Sequence, residues 1–127
     1  MEYVALVVVL ALIEYFFFMA MVGKARGQFS IKAPAITGNE NFERIFRVQQ
    51  NTLEQLILFI PAICLFAYFV HAISAAAIGI FFLLGRIVYC KSYIADPATR
   101  GPGMIMGFIA TAILILGALI GIILAIV

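Results

Sequence analysis

The stretch Met104–Val127 contains no charged side chain and no proline. At about 1.5 Å of rise per residue, such a run is long enough to cross a hydrocarbon layer of roughly 30 Å as a helix. Lipid offers no hydrogen-bond partners, so a lone segment must pair its own backbone groups, and only a helix does so. The rest of the chain repeats the pattern. Tyr3–Val22 is apolar except for Glu14, Phe42–Val70 is apolar in its second half with Pro61 inside it, and Ser74–Ile94 is apolar in its first half. Of 127 residues, 66% are hydrophobic and 11% charged, with a mean hydropathy of +1.20. Water-soluble domains are far less apolar. The expected fold is an all-α integral membrane protein, a single four-transmembrane-helix bundle over residues 1–127. Its spans are placed near 3–23, 42–70, 74–94 and 103–127. The first run lacks a basic leader and a small-residue cleavage site, so it is expected to remain as a span.

The breakers divide these runs. Gly23-Lys24-Ala25-Arg26-Gly27 reads as the exit from the first span, and Gln28–Asn41, with Pro34, Gly38 and Asn39, as a loop. His71–Ser74 reads as a tight turn, and Asp96-Pro97 with Arg100–Gly103 as a short loop. Lys24, Arg26, Lys32, Arg44, Arg47, Arg86, Lys91 and Arg100 are all the basic residues of the chain. All fall at the ends joined by the first and third loops. By the positive-inside rule that side is cytoplasmic and both termini lie opposite. Cys64 and Cys90 have no metal-binding spacing and lie at different depths, about 25 Å apart by helical rise, too far for a disulfide. His71, the only histidine, sits at the other end of the bundle, and no metal site is expected.

The polar stretch Phe42–Gln55 stands out because it runs straight into an apolar span. Its Glu43, Arg44, Arg47, Gln49, Gln50, Asn51, Glu54 and Gln55 need either a polar network or a bound polar ligand to offset burial, since a charge at the centre of a span costs roughly 2.5–3.5 kcal/mol. At ~100° per residue, Arg47, Asn51 and Glu54 share one stripe, while Gln49 points away from it. Tyr89 and Tyr93 share a face of the third span, and Arg100 lies at the same leaflet. Arginine suits carboxylates or phosphates, Glu54 an ammonium, and Asn51 and Gln49 a peptide unit. Glutathione, with two carboxylates, one amine and two amides, uses this whole inventory; an anionic lipid head group leaves Glu54 without a purpose. A thiol beside Arg100 would be favoured as the thiolate, the reactive nucleophile.

The run Phe42-Glu43-Arg44-Ile45-Phe46-Arg47-Val48-Gln49-Gln50-Asn51-x-x-Glu54 resembles the signature of the MAPEG family, membrane-associated proteins in eicosanoid and glutathione metabolism. The nearest likeness is to its microsomal glutathione transferase and leukotriene C4 synthase branch. Arg86-x-x-Tyr89-x-x-x-Tyr93 with Arg100 downstream, and Lys24-Ala25-Arg26 upstream, resemble the same branch. The resemblance implies a homotrimer with glutathione as co-substrate and no metal. Arg100 would stabilise the thiolate, and Arg47, Asn51, Glu54, Tyr89 and Tyr93 would bind glutathione on one subunit. Arg26 and Gln49 would reach it from the neighbouring subunit, and a lipophilic electrophile or lipid hydroperoxide would arrive from the bilayer. Gly27 and Gln55 depart from the leukotriene synthase pattern, which points to a general conjugating or peroxide-reducing enzyme. Nothing suggests nucleic acid as a partner; membrane lipids are the expected surroundings. A bacterial inner membrane is the expected location, or the endoplasmic reticulum in a eukaryote, with the active site on the cytoplasmic side.

Simpler assignments compete at several positions. The polar stripe could be a structural network and the tyrosines an interfacial belt. Arg86 and Lys91 read as topology and head-group charges, and Arg44 as a partner for Glu40 or Glu43. Glu14, a lone acid in the first span, suits a proton-coupled small multidrug transporter instead. A lipid-binding scaffold without catalysis is the other alternative.

Overall fold

The computed structural model describes residues 1–127 as four long helices, α1 (Glu2–Phe29), α2 (Glu40–Phe69), α3 (Ala72–Ala95) and α4 (Gly101–Ile126), with a 3₁₀ turn at Pro97–Thr99. Each of the four is long and apolar enough to cross a membrane. Helices α2 and α3 pack on one another, and α1 and α4 each pack against both of them. Lipid tails are as apolar as leucine, so such helices associate through close packing and cross-helix hydrogen bonds rather than through burial from water. Small residues make the close packing possible. A side chain at Gly79 would meet the Val7 Cγ1 at 2.6 Å and the Ile63 Cδ1 at 2.7 Å, and one at Gly103 would lie 2.7 Å from the Tyr89 Cα. In the same half as Gly79, the Phe59 and Phe82 rings stack at 3.9 Å and 5°.

The boundaries follow from local chemistry. The first helix continues through Gly23–Gly27, which read as its exit, and ends only at Phe29 with Ser30 in the left-handed region (φ 57°). Glycine costs a helix about 1 kcal/mol, which is not enough to stop one that is already propagating. Asn39 starts α2, its Oδ1 accepting from the backbone N–H of Asn41 (2.9 Å) and Phe42 (3.2 Å). The turn before α3 is shorter than His71–Ser74, since His71 caps the helix with its ring nitrogen accepting from the Ser74 N–H (3.2 Å). Asp96 breaks α3 and its Oδ1 accepts from the Ala98 N–H (3.0 Å), starting the 3₁₀ turn that leads into α4.

Candidate functional site

One end of the bundle gathers polar side chains from α1, α2 and α3 and from Arg100 just before α4. Arg44 donates to Glu40 Oε1 (2.8 Å) and to the carbonyls of Ile94 and Ala95 (3.3 Å each). It thereby satisfies acceptors that the end of α3 leaves open and ties that end to the start of α2. This is the Glu40 pairing expected from the sequence, with a second task added.

At the next level inward, Arg86 is 1% exposed. One of its Nη nitrogens donates to Asn51 Oδ1 (2.8 Å) and to Thr52 Oγ1 (3.0 Å), and its guanidinium lies 4.3 Å from the Tyr89 ring centroid. The reading of Arg86 as a head-group charge is therefore wrong. Its partners lie 34 and 35 positions away in the chain, so no local pattern reveals them. Glu14, read as a lone acid, is half-buried and makes no ion pair within the chain. It lines a groove of about 1080 Å³ between α1 and α3, with Phe17, Met21, Ile87 and Cys90 among its other walls.

Tyr89 is buried and its ring stacks on Tyr93 at 5.5 Å and 18°. The Arg86 guanidinium on the Tyr89 ring, the Asn51 and Thr52 side chains that Arg86 engages, and Gly103 against the Tyr89 backbone bring α2, α3 and the start of α4 together there. Gly103 permits this convergence. With no side chain it lets the first turn of α4 lie against the Tyr89 backbone, which carries Arg100, three residues earlier, to the same place. Arg100 itself is exposed, with Nη1 donating to the Pro97 carbonyl (3.1 Å). The buried Arg86 beside two stacked phenols, with the exposed cations Arg47 and Arg100 on neighbouring elements of the same end, gives this end a positive potential that attracts an anion.

The stripe on α2 divides in two. Arg47 and Glu54 are exposed, beside the exposed apolar residues Leu53, Ile57 and Leu58. Asn51, about 40° further round by helical geometry, turns inward to Arg86. Gln49, expected to face another subunit, donates instead to the Tyr15 hydroxyl of its own chain (2.9 Å). The outward orientation inferred for it is corrected by this contact, whose partner on α1 is 34 residues distant. Arg26 is likewise engaged within the chain, donating to the Ala35 carbonyl (2.7 Å) and lying 5.1 Å from the Phe42 ring centroid. Cys64 is exposed and Cys90 buried, and both are free thiols.

The model of the MAPEG family matches residues 4–120. An uncharacterised protein of Synechocystis is 43% identical over 118 residues, covering 93% of this chain and 86% of its own length. Human microsomal glutathione S-transferase 2 is 33% identical over 116 residues, covering 91% of this chain and 79% of its own length. Rat leukotriene C4 synthase is 34% identical over 89 residues, 70% of this chain and 59% of its own length.

Proposed function

Because the chain belongs to the MAPEG family, we propose that it is an integral membrane glutathione transferase, which binds glutathione among α2, α3 and the start of α4. The observation that carries this reading is the Arg86–Asn51–Thr52 cluster against the stacked Tyr89–Tyr93 pair, with the start of α4 packed on the Tyr89 backbone. The likeness to a protein named microsomal glutathione S-transferase 2 and to one named leukotriene C4 synthase supports it. Arg47 and Arg100 take the carboxylates and the sulfur end of glutathione, Glu54 its ammonium, and Asn51 and Tyr93 its peptide units. Arg100 is the catalytic residue, because a cation at the sulfur favours ionisation and a depressed thiol pKa raises the thiolate fraction near neutral pH.

Two outcomes follow for the thiolate. In transfer, the sulfur attacks a lipophilic electrophile, an S–C bond forms, and the leaving group departs with the electron pair. In peroxide reduction, the sulfur attacks a hydroperoxide and the O–O bond breaks. The alcohol departs and the transferred oxygen stays on sulfur as a sulfenic acid; a second glutathione thiol attacks that sulfur, releasing water and forming glutathione disulfide. Both substrates are lipophilic and enter from the bilayer.

A homotrimer belongs to the same proposal. Arg47 and Glu54 face outward from α2 among Leu53, Ile57 and Leu58, and charges left against lipid would cost roughly 2.5–3.5 kcal/mol each. A neighbouring copy covers them, and its Arg26 reaches the ligand on leaving the Ala35 carbonyl. The basic end faces the cytoplasm, in a bacterial inner membrane or, in a eukaryote, the endoplasmic reticulum.

Stopped-flow absorbance in the thiolate band tests the reading, with glutathione mixed against the detergent-solubilised protein and against Arg100→Ala. The expected result is a thiolate signal in the wild type that Arg100→Ala abolishes. Absence of both signal and calorimetric binding in the wild type would sink the proposal.

A further inference from the structure

We infer that Arg86 is a positioning residue for glutathione, acting through Asn51; this rests on the proposed function. Guanidinium has donors and no acceptor. The Asn51 atom that meets it at 2.8 Å is therefore the amide oxygen, and the orientation of that amide is settled without ambiguity. Its nitrogen makes no hydrogen bond within the chain and is not among the fully buried polar atoms without a partner. Asn51 thus presents two N–H donors and no acceptor to a ligand. A free asparagine offers both, and could turn either way. Locked by Arg86, it selects a carboxylate or an amide carbonyl at that point and turns away an ammonium.

The lock itself is held from several sides. Thr52 Oγ1 takes a second bond from the same Arg86 nitrogen (3.0 Å), and donates its own proton to the Val48 carbonyl (2.7 Å). Tyr89 lies beneath the guanidinium. On the α1 side no side chain pairs with it, and the Arg86 Nε stays buried and without a partner. A cation placed this deep in a span serves no electrostatic purpose at the membrane surface, and none of its Nη partners is an acid. Its geometry is spent on fixing Asn51 and Thr52.

A double-mutant cycle in full-length protein, read by steady-state kinetics and glutathione calorimetry, tests the assignment. Arg86→Leu is expected to raise the glutathione KM about tenfold while kcat falls less than about threefold, as for loss of one charge-assisted hydrogen bond's orientation. Arg86→Lys, which still donates to the Asn51 oxygen, recovers most of the loss. The double variant Arg86→Leu with Asn51→Ala is no worse than Asn51→Ala alone. Effects that multiply would overturn the inference, as would a fall in kcat matched to a loss of folded protein with KM unchanged. Asn51→Asp provides a check that leaves Arg86 in place. It keeps an acceptor for Arg86 but has no donor for the ligand, so it should match Asn51→Ala in KM; wild-type affinity in Asn51→Asp refutes the donor assignment. A wild type that binds no glutathione overturns the proposed function itself, whereas binding with multiplicative variants overturns this inference alone.

Discussion

The two halves of α3 are buried to a similar degree and held in opposite ways. In the first half Ala75, Ala76, Gly79 and Phe82 meet neighbours of matching shape, with Phe82 flat against Phe59 and Gly79 receiving Val7 and Ile63. In the second half Arg86 and Tyr89 meet named partners, Asn51, Thr52 and Tyr93. Shape contacts are individually weak and tolerate exchange for residues of similar volume. A buried hydrogen-bonded group has no substitute, because losing one partner strands the other. The first half of α3 is therefore held by shape alone, while the second half adds the polar contacts of the candidate site to the close packing at Gly85 and Gly103.

Substitutions in the two halves should separate these tasks. The largest effect belongs to Arg100→Ala. Its kcat is expected to fall roughly 10²–10³-fold, the range for removing a group that stabilises developing or resident negative charge, with glutathione affinity by calorimetry changed far less. Phe82→Ala is expected to lower stability by about 3 kcal/mol, seen in thermal unfolding in detergent, while KM per folded molecule stays unaltered. If Phe82→Ala shifts KM as strongly as stability, the division between halves fails. Gly103→Val sits at the junction between them. Overpacking there is expected to cost about 1–3 kcal/mol and also to push the first turn of α4, with Arg100 just before it, away from Tyr89, so turnover and thermal midpoint fall together. Glu54→Ala should raise the glutathione KM about tenfold, equivalent to ~1.4 kcal/mol, without moving the thermal midpoint. Gln49→Leu is the smallest change, about 0.6 kcal/mol for one cross-helix hydrogen bond in a membrane protein, readable only as a small shift in unfolding.

The same contrast explains what could be read before the structure. Four helices are legible because lipid demands long uninterrupted apolar runs, and each run is visible along the sequence. Arg44 with Glu40 is legible because helical spacing puts residues four apart on one face. Asn51 and Arg47 look equivalent on a helical wheel, yet only Asn51 turns inward, a choice made by Arg86 from another helix. Helical spacing points Gln49 away from Arg47 but does not reveal Tyr15, its partner 34 residues distant on α1. Gly23–Gly27 misleads in a different way, because glycine and basic residues mark the edge of the membrane while the helix itself continues beyond it.

The contacts Gln49–Tyr15 and Arg86–Asn51 have a consequence for assembly. A helix with apolar residues on every side can spin about its axis in lipid at little cost, and it can slide by a turn almost as freely. A shift of one residue rotates its faces by about 100° and moves them about 1.5 Å. Two hydrogen-bonded pins, one from α1 to α2 and one from α3 to α2, remove that freedom. They index both neighbours to the same helix, so the angular settings of three spans are referenced to α2, the helix that also bears Arg47 and Glu54.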